Sequence, residues 1–177
     1  MSKDITKQHI TDCFNILFRK YPIDRITINM IIECAGVSKS TFYRHFLDKY
    51  DVMNYNYKRA LDDIFLYNAC KSWNELFISI LSFIEKDIDR IRNAFLCSGA
   101  NSYDKFVFEY SFNRMNEKYI EKHGRALSED EIYTAKIIIY GCLYAVKDWT
   151  FSDKRISKEE LAVQIDNAVP ERYKILL

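Results

Sequence analysis

The sequence predicts an all-α fold, and three observations carry that prediction. Only four Gly and two Pro stand in 177 residues, too few turn formers for a sandwich, a barrel or a Gly-rich nucleotide-binding sheet. Apolar residues recur at helical rather than alternating spacing. Three Ser-x-x-Glu motifs, Ser72/Glu75, Ser128/Glu131 and Ser157/Glu160, have the form of capping boxes, in which a hydroxyl and a carboxylate satisfy two orphan amides at a helix start. About nine helices are expected, with no strand, internal repeat or low-complexity segment.

Each element has a local reason. Ile10, Cys13, Phe14, Leu17 and Phe18 form one apolar face of a first helix, which stops near Tyr21-Pro22 because the residue before Pro is driven out of the helical region. A second helix runs from Thr27, as N-cap, to Cys34 or Ala35, with Ile28, Ile31 and Ile32 inward and Gly36 as a left-handed C-cap. Ser38 opens a third helix over 38–46, and Asp48 caps a longer one that reaches Tyr67 or so. Helix breakers at 97–102 and at His123-Gly124-Arg125 bracket an aromatic helix around 106–120.

The stretch 131–151 is apolar on two sides. Ala135, Ile138, Ile139, Cys142, Val146 and Trp149 make one face, and Ile137, Tyr140 and Tyr144 another. A helix buried on two sides in so small a unit implies burial against a second subunit. With the helix after Ser157, whose apolar positions are Leu161, Ile165 and Ala168, it predicts a four-helix dimer interface built on Ile138, Cys142, Trp149, Leu161 and Ile165.

Composition narrows the function. An apolar content of 49% argues against disorder. The longest uncharged, mainly apolar run, 137–146, is too short to span a membrane. The opening MSKDITKQHI lacks the apolar centre of a signal peptide. A cytoplasmic protein is expected, nucleoid-associated when bound to DNA. The five cysteines are widely spaced, with no CxxC, and read as reduced core thiols. His9 and Cys13 share a helix face, but two ligands do not make a metal site. No metal, cofactor or catalytic role is expected: no Gly-rich phosphate loop or activated nucleophile occurs, and Asp62-Asp63 and Glu159-Glu160 read as solvated helix faces.

Charge is unevenly shared. The formal net charge is +1, yet residues 1–60 hold ten Lys+Arg against six Asp+Glu, leaving 16 against 19 beyond them. A basic N-terminal part and a mildly acidic remainder suggest a nucleic-acid contact confined to the first third.

Within that third, TINMIIECAGVSKSTFYRHFLDKYD at 27–51 reads as helix, Gly turn, short helix, and the start of a longer helix. This is the helix-turn-helix pattern, whose second helix enters the major groove. Ile31, Ala35, Val37 and Phe42 suit the contact between the two helices, with Ala35 and Gly36 allowing close approach. Lys39, Ser40 and Thr41 occupy the exposed first turn of the second helix, where side chains reach base edges. Tyr43, Arg44 and His45 supply further donors, and Lys49 adds a cation just beyond. Thr27 offers a hydroxyl and free helix amides to a phosphate.

The run AGVSKSTFYRHFxDK, preceded by an Ile-rich short helix and an amphipathic first helix, resembles the DNA-binding domain of TetR-family transcriptional regulators over residues 5–52. The resemblance implies a three-helix N-terminal domain over 1–50 and a helical dimerisation and effector-binding domain over 51–177. It implies base contacts from Lys39, Ser40, Thr41 and Arg44, and phosphate contacts from Thr27, Tyr43, His45 and Lys49. Lys49→Ala would then weaken binding to every sequence, and Lys39→Ala would relax base preference. Two departures stand out: Tyr21-Pro22 replaces a commonly found Gly, and Arg44 adds a cation where many members are neutral.

The C-terminal part, with YGCLYAVKDW and a final capped helix, resembles a Gram-positive subgroup. That subgroup includes the activator of dihydroxyacetone kinase expression, which works with a protein co-regulator. The resemblance as a whole implies a homodimeric repressor of a pseudo-palindromic double-stranded DNA operator, released by a small-molecule effector. The alternative is a regulator whose C-terminal domain binds a protein co-regulator. The aromatic stripe that includes Phe83, Phe95 and Met115 is of a kind that forms core more often than a ligand cage. An effector pocket, if built from it, would use Phe77, Phe106, Tyr110, Tyr140 and Tyr144. With the pocket filled by its own Tyr and Phe side chains, the protein would need no effector.

Overall fold

The computed structural model describes residues 3–67, 70–99, 101–153 and 155–174. Among these the fold is all-α: α1 (Lys3–Phe18), a 3-10 turn (Ile23–Arg25), α2 (Ile28–Ala35), α3 (Lys39–Tyr43), α4 (Lys49–Tyr67), α5 (Trp73–Glu85), α6 (Ile88–Phe95), α7 (Tyr103–His123), α8 (Glu129–Phe151), α9 (Lys158–Ala168) and α10 (Glu171–Lys174). The helices begin where hydroxyls or carboxylates can take the first free amides. Thr27, Ser38, Ser72, Ser128 and Ser157 each accept from the amide three residues on. Asp48 does the same for α4, its Oδ1 accepting from the Asp51 amide at 2.8 Å.

Two of the three expected capping boxes close reciprocally, at Ser128/Glu131 and Ser157/Glu160. The third does not: the Glu75 carboxylate passes Ser72 and accepts from the Lys71 amide at 2.8 Å. α3 is shorter than the expected 38–46, because regular helix ends at Tyr43 and residues 44–46 continue as turns hydrogen-bonded back to Ser40 and Phe42. The aromatic helix α7 is longer than its periodicity suggested. Of the breaker segment before it, Ala100 lies outside the described residues.

The turn between α2 and α3 has a specific chemistry. Gly36 sits at φ 58, ψ 32, its amide donating to Glu33 O, while the Val37 amide donates to Ile32 O at 3.1 Å. This is the Schellman arrangement, which ends a helix by a single left-handed residue. A Cβ at Gly36 would meet no atom within 4 Å. The expectation that Gly36 permits close helix approach is therefore corrected: its backbone angle requires Gly, not its neighbours. Gly36→Ala is expected to cost about 1 kcal/mol through the left-handed strain alone, lowering the melting temperature by about 2–4 °C. A calorimetric scan with no downward shift would contradict this.

One continuous apolar core runs through the molecule. In the head it gathers Ile10, Phe14, Phe18, Ile31, Ala35, Phe42 and Phe46, and it continues through Val52 and Tyr57 of α4 into the bundle of α5 to α10. α4 packs on α1 at one end and on α5 and α7 further along, while α9 lies along α5 and α8 along α7. The expected boundary at residue 50 falls inside the first turn of α4, so one helix belongs to both parts. Polar clamps tie the parts together. Asn101 donates to Asp48 Oδ2 at 2.7 Å, Asn54 donates to the Asn101 carbonyl at 3.2 Å, and the Ile23 amide donates to Asn93 Oδ1 at 3.2 Å.

The cysteines follow burial only in part. Cys13 and Cys97 are buried, Cys70 and Cys142 half-buried, and Cys34 exposed, so Cys34 is not the core thiol expected.

Candidate nucleic-acid interface and the cavity behind it

α2 and α3 stand as a helix-turn-helix pair, with Ile31, Ala35 and Phe42 sunk into the head core. Burying Phe42 fixes the rotation of α3 and so sends its neighbours outward. Lys39 and Ser40 are exposed, as are Tyr43 and Arg44, and Thr41 and His45 are half-buried. Tyr43 leans edge-on against Phe42, ring centroids 5.5 Å apart, and is 48% exposed. Along the stripe Ser38, Thr41, Arg44 a chain of hydrogen bonds is formed. The Ser38 and Thr41 hydroxyls are 2.9 Å apart, and Arg44 Nη2 donates to Thr41 Oγ1 at 2.9 Å. Thr41 thus holds Arg44 rather than standing free. Thr27 is exposed, its hydroxyl accepting from the Met30 amide at 3.2 Å.

Lys49 occupies a different position from the one its sequence context suggests. Its ammonium donates to the carbonyls of Ile23 at 2.7 Å, Ile26 at 2.9 Å and Asp24 at 3.4 Å, filling all three donors of the group. It fastens the 3-10 turn to the start of α4, with its Nζ 5.2 Å from the Tyr50 ring centroid.

Electrostatics separates the head from the bundle. Every ion pair among the described residues lies at Lys58 or beyond. In the bundle, Arg125 and the Tyr119 hydroxyl both hydrogen-bond the Glu131 carboxylate, and together with the Ser128 amide they hold it well below the usual carboxylate range. Among the described residues, Lys39 and Arg44 of the head form no ion pair.

A partly open cavity of about 120 Å³ lies between α4, α5, α6, α7 and α8. Of the residues expected at a pocket, Phe77 lines it. The others lie elsewhere. Phe106 stands over a polar cleft beside Lys7, Lys58 and Lys105. Tyr110 donates to Asp62 at 2.7 Å and packs against Phe65. Tyr140 and Tyr144, 57% and 73% exposed, face outward from α8, and Tyr140 stacks on Phe108 with ring centroids 4.2 Å apart. The cavity wall includes residues that periodicity did not single out, among them Phe65, Ser111, Arg114, Lys118 and Leu143. Charged residues within a helix default to solvent, so nothing in the sequence marked Arg114.

The residues expected at a dimer interface are taken by the protomer itself. Ile138, Trp149, Leu161 and Ile165 are buried and Cys142 is half-buried, the first two and Cys142 facing inward from α8 and the others on α9, which lies along α5. The outward face of α8 carries Tyr133, Ile137, Tyr140 and Tyr144 instead, between 57% and 73% exposed.

A helix-turn-helix head on a helical bundle with its own cavity defines a transcriptional regulator of the helix-turn-helix class. Residues 16–55 match the family of bacterial regulatory proteins described as the tetR family, and residues 71–170 match the TetR-type transcriptional regulator C-terminal region. The chain belongs to the TetR family. None of the curated protein sequences matches it. Among solved structures it is similar to a TetR transcriptional regulator from Streptococcus agalactiae 2603V, at 21% identity and TM-score 0.63 over 96% of each chain. It is also similar to the dihydroxyacetone kinase operon activator DhaS, at 15% identity and TM-score 0.61 over 97% of each chain. These likenesses are of fold. Among the described residues no helix is long and apolar enough to cross a membrane.

Proposed function

We propose that the chain is a homodimeric repressor that grips a pseudo-palindromic operator through two copies of α3 and lets go when a small molecule enters the bundle. The observation that carries this is the pair of cations on the open face of α3, Lys39 and Arg44, which form no ion pair among the described residues, while every ion pair among those residues lies at Lys58 or beyond. A polyanion supplies the missing partners. Lys39, Ser40 and Arg44 face base edges, Thr41 positions Arg44, and Thr27, Tyr43 and His45 hold the backbone.

The cavity favours a metabolite over a protein co-regulator as the controlling partner, because it is concave, small and mainly apolar. It is bounded by α6 and α7, and Asn93 on α6 and Asn101 just before α7 are the same residues that clamp the head. A ligand that spreads these helices changes the position of each head. Since two heads must fit successive major grooves, a small change in their separation suffices to weaken binding.

Dimerisation uses the outer face of α8. Tyr144→Asp is expected to lower the dimer's association constant at least about 100-fold, since it places a carboxylate at the centre of an apolar interface. Sedimentation equilibrium reads this directly, and operator affinity should fall with it. A variant that stays dimeric at the same concentrations would remove α8 from the interface.

A further inference from the structure

We propose that the ligand of the bundle cavity is a small carboxylic acid, its apolar body among Phe77, Leu143 and Val146 and its carboxylate on Arg114. This rests on the reading of the cavity as the effector site and adds the chemical class. The charged groups of the wall, Arg114 and Lys118, lie with Ser111 along one stripe of α7, at spacings of three and four. These spacings put the three on a single helix face. Lys118 is satisfied elsewhere, its Nζ donating to Glu121 at 2.7 Å.

Arg114 differs. It is 24% exposed, and its Nη1 donates outward to Glu117 at 2.8 Å. Its Nε–H is buried and has no acceptor among the described residues, and its guanidinium carbon lies 5.7 Å from the Phe65 ring centroid. A buried donor without an acceptor is costly, and a ligand that supplies the acceptor recovers that cost. Among acceptors, a carboxylate matches the guanidinium in charge and in planar geometry. A cation would be repelled, a hydrocarbon would leave the Nε–H without an acceptor, and an alcohol would supply only a neutral one. Ser111, three residues before, adds a hydroxyl to the same stripe. Across the cavity, burial pushes the Cys142 thiol up to about 12. A cavity of about 120 Å³ takes a body the size of one aromatic ring or its aliphatic equivalent.

The test is calorimetric titration of the full chain at neutral pH with benzoate and hexanoate, each against its matched alcohol, benzyl alcohol and hexan-1-ol. The acids are expected to bind the unaltered protein at least about tenfold more tightly than the alcohols, as charge-assisted hydrogen bonds are stronger than neutral ones. In Arg114→Gln the preference for acid over alcohol should shrink to within about twofold. The comparison on the unaltered protein needs no variant, so a poorly folded Arg114→Gln would not rescue the proposal. Alcohols that bind as tightly as acids, or an acid preference that survives Arg114→Gln, would overturn it. Leu143→Trp, which fills the cavity, separates the two levels of the reading. Alcohol binding abolished by Leu143→Trp with no acid preference in the parent would leave the effector site standing and remove only the acid class. No binding of any of the four probes at their solubility limits would overturn the acid class and the effector site together.

Discussion

Lys49→Met is expected to destabilise the protein by about 2–3 kcal/mol, as charged hydrogen bonds to backbone carbonyls are lost, and to lower the melting temperature by about 5–10 °C. The salt dependence of DNA binding should keep its parental slope. The reason is geometric. The ammonium already serves the carbonyls of Ile23, Asp24 and Ile26, and these close the turn that leads into α2. Methionine keeps the length and apolar stem of the side chain, so what is lost is the hydrogen bonding. A lysine on a phosphate would behave the other way: its loss would spare the melt and flatten the slope of log affinity against log salt by about one unit. Thermal melts and salt titrations on the same preparation decide between the two roles.

The second large effect belongs to the open face of α3. Lys39→Ala and Arg44→Ala are each expected to cost about 1–3 kcal/mol in operator affinity and to relax preference at a distinct base position. Neither side chain supports the fold. Lys39 is exposed in the first turn of α3, and Arg44 hydrogen-bonds only to Thr41 among the described residues. Their removal should therefore leave the melt within a degree or two of the parent, since surface changes of this kind are within about 0.5 kcal/mol. Thr41→Ala should produce a weaker version of the Arg44 phenotype, because it frees the guanidinium rather than deleting it. Competition with scrambled DNA separates lost specificity from lost charge.

The head was legible in the sequence because its determinants are local. Thr27, Gly36 and Ser38 each act within four residues along the chain, through caps and one left-handed angle. The bundle was less so. Both apolar faces of α8 could be counted, but periodicity does not say which face meets the protomer's own core. The inward face holds Ile138 and Trp149 and the outward one Ile137 and Tyr144, the reverse of the assignment that sequence favoured for a partner. α9 was drawn onto α5, where Leu161 and Ile165 are buried, by a contact more than 70 residues distant, such as Lys158 to Glu85. Lys49 and Arg114 share a cause of misreading or omission. A cation in sequence carries no label for whether its donors will meet carbonyls, a cavity or solvent.

The most direct test of the central claim is selection of the full-length protein on random double-stranded DNA, with Lys39→Ala and Arg44→Ala run in parallel. Enrichment of a two-half-site sequence with dyad symmetry is expected, its half-sites spaced by about one helical turn or a multiple of it, with a separate loss of information at one symmetric position for each variant. Enrichment of no sequence by the parent, or an identical enriched sequence for all three proteins, would contradict α3 as the element that reads DNA.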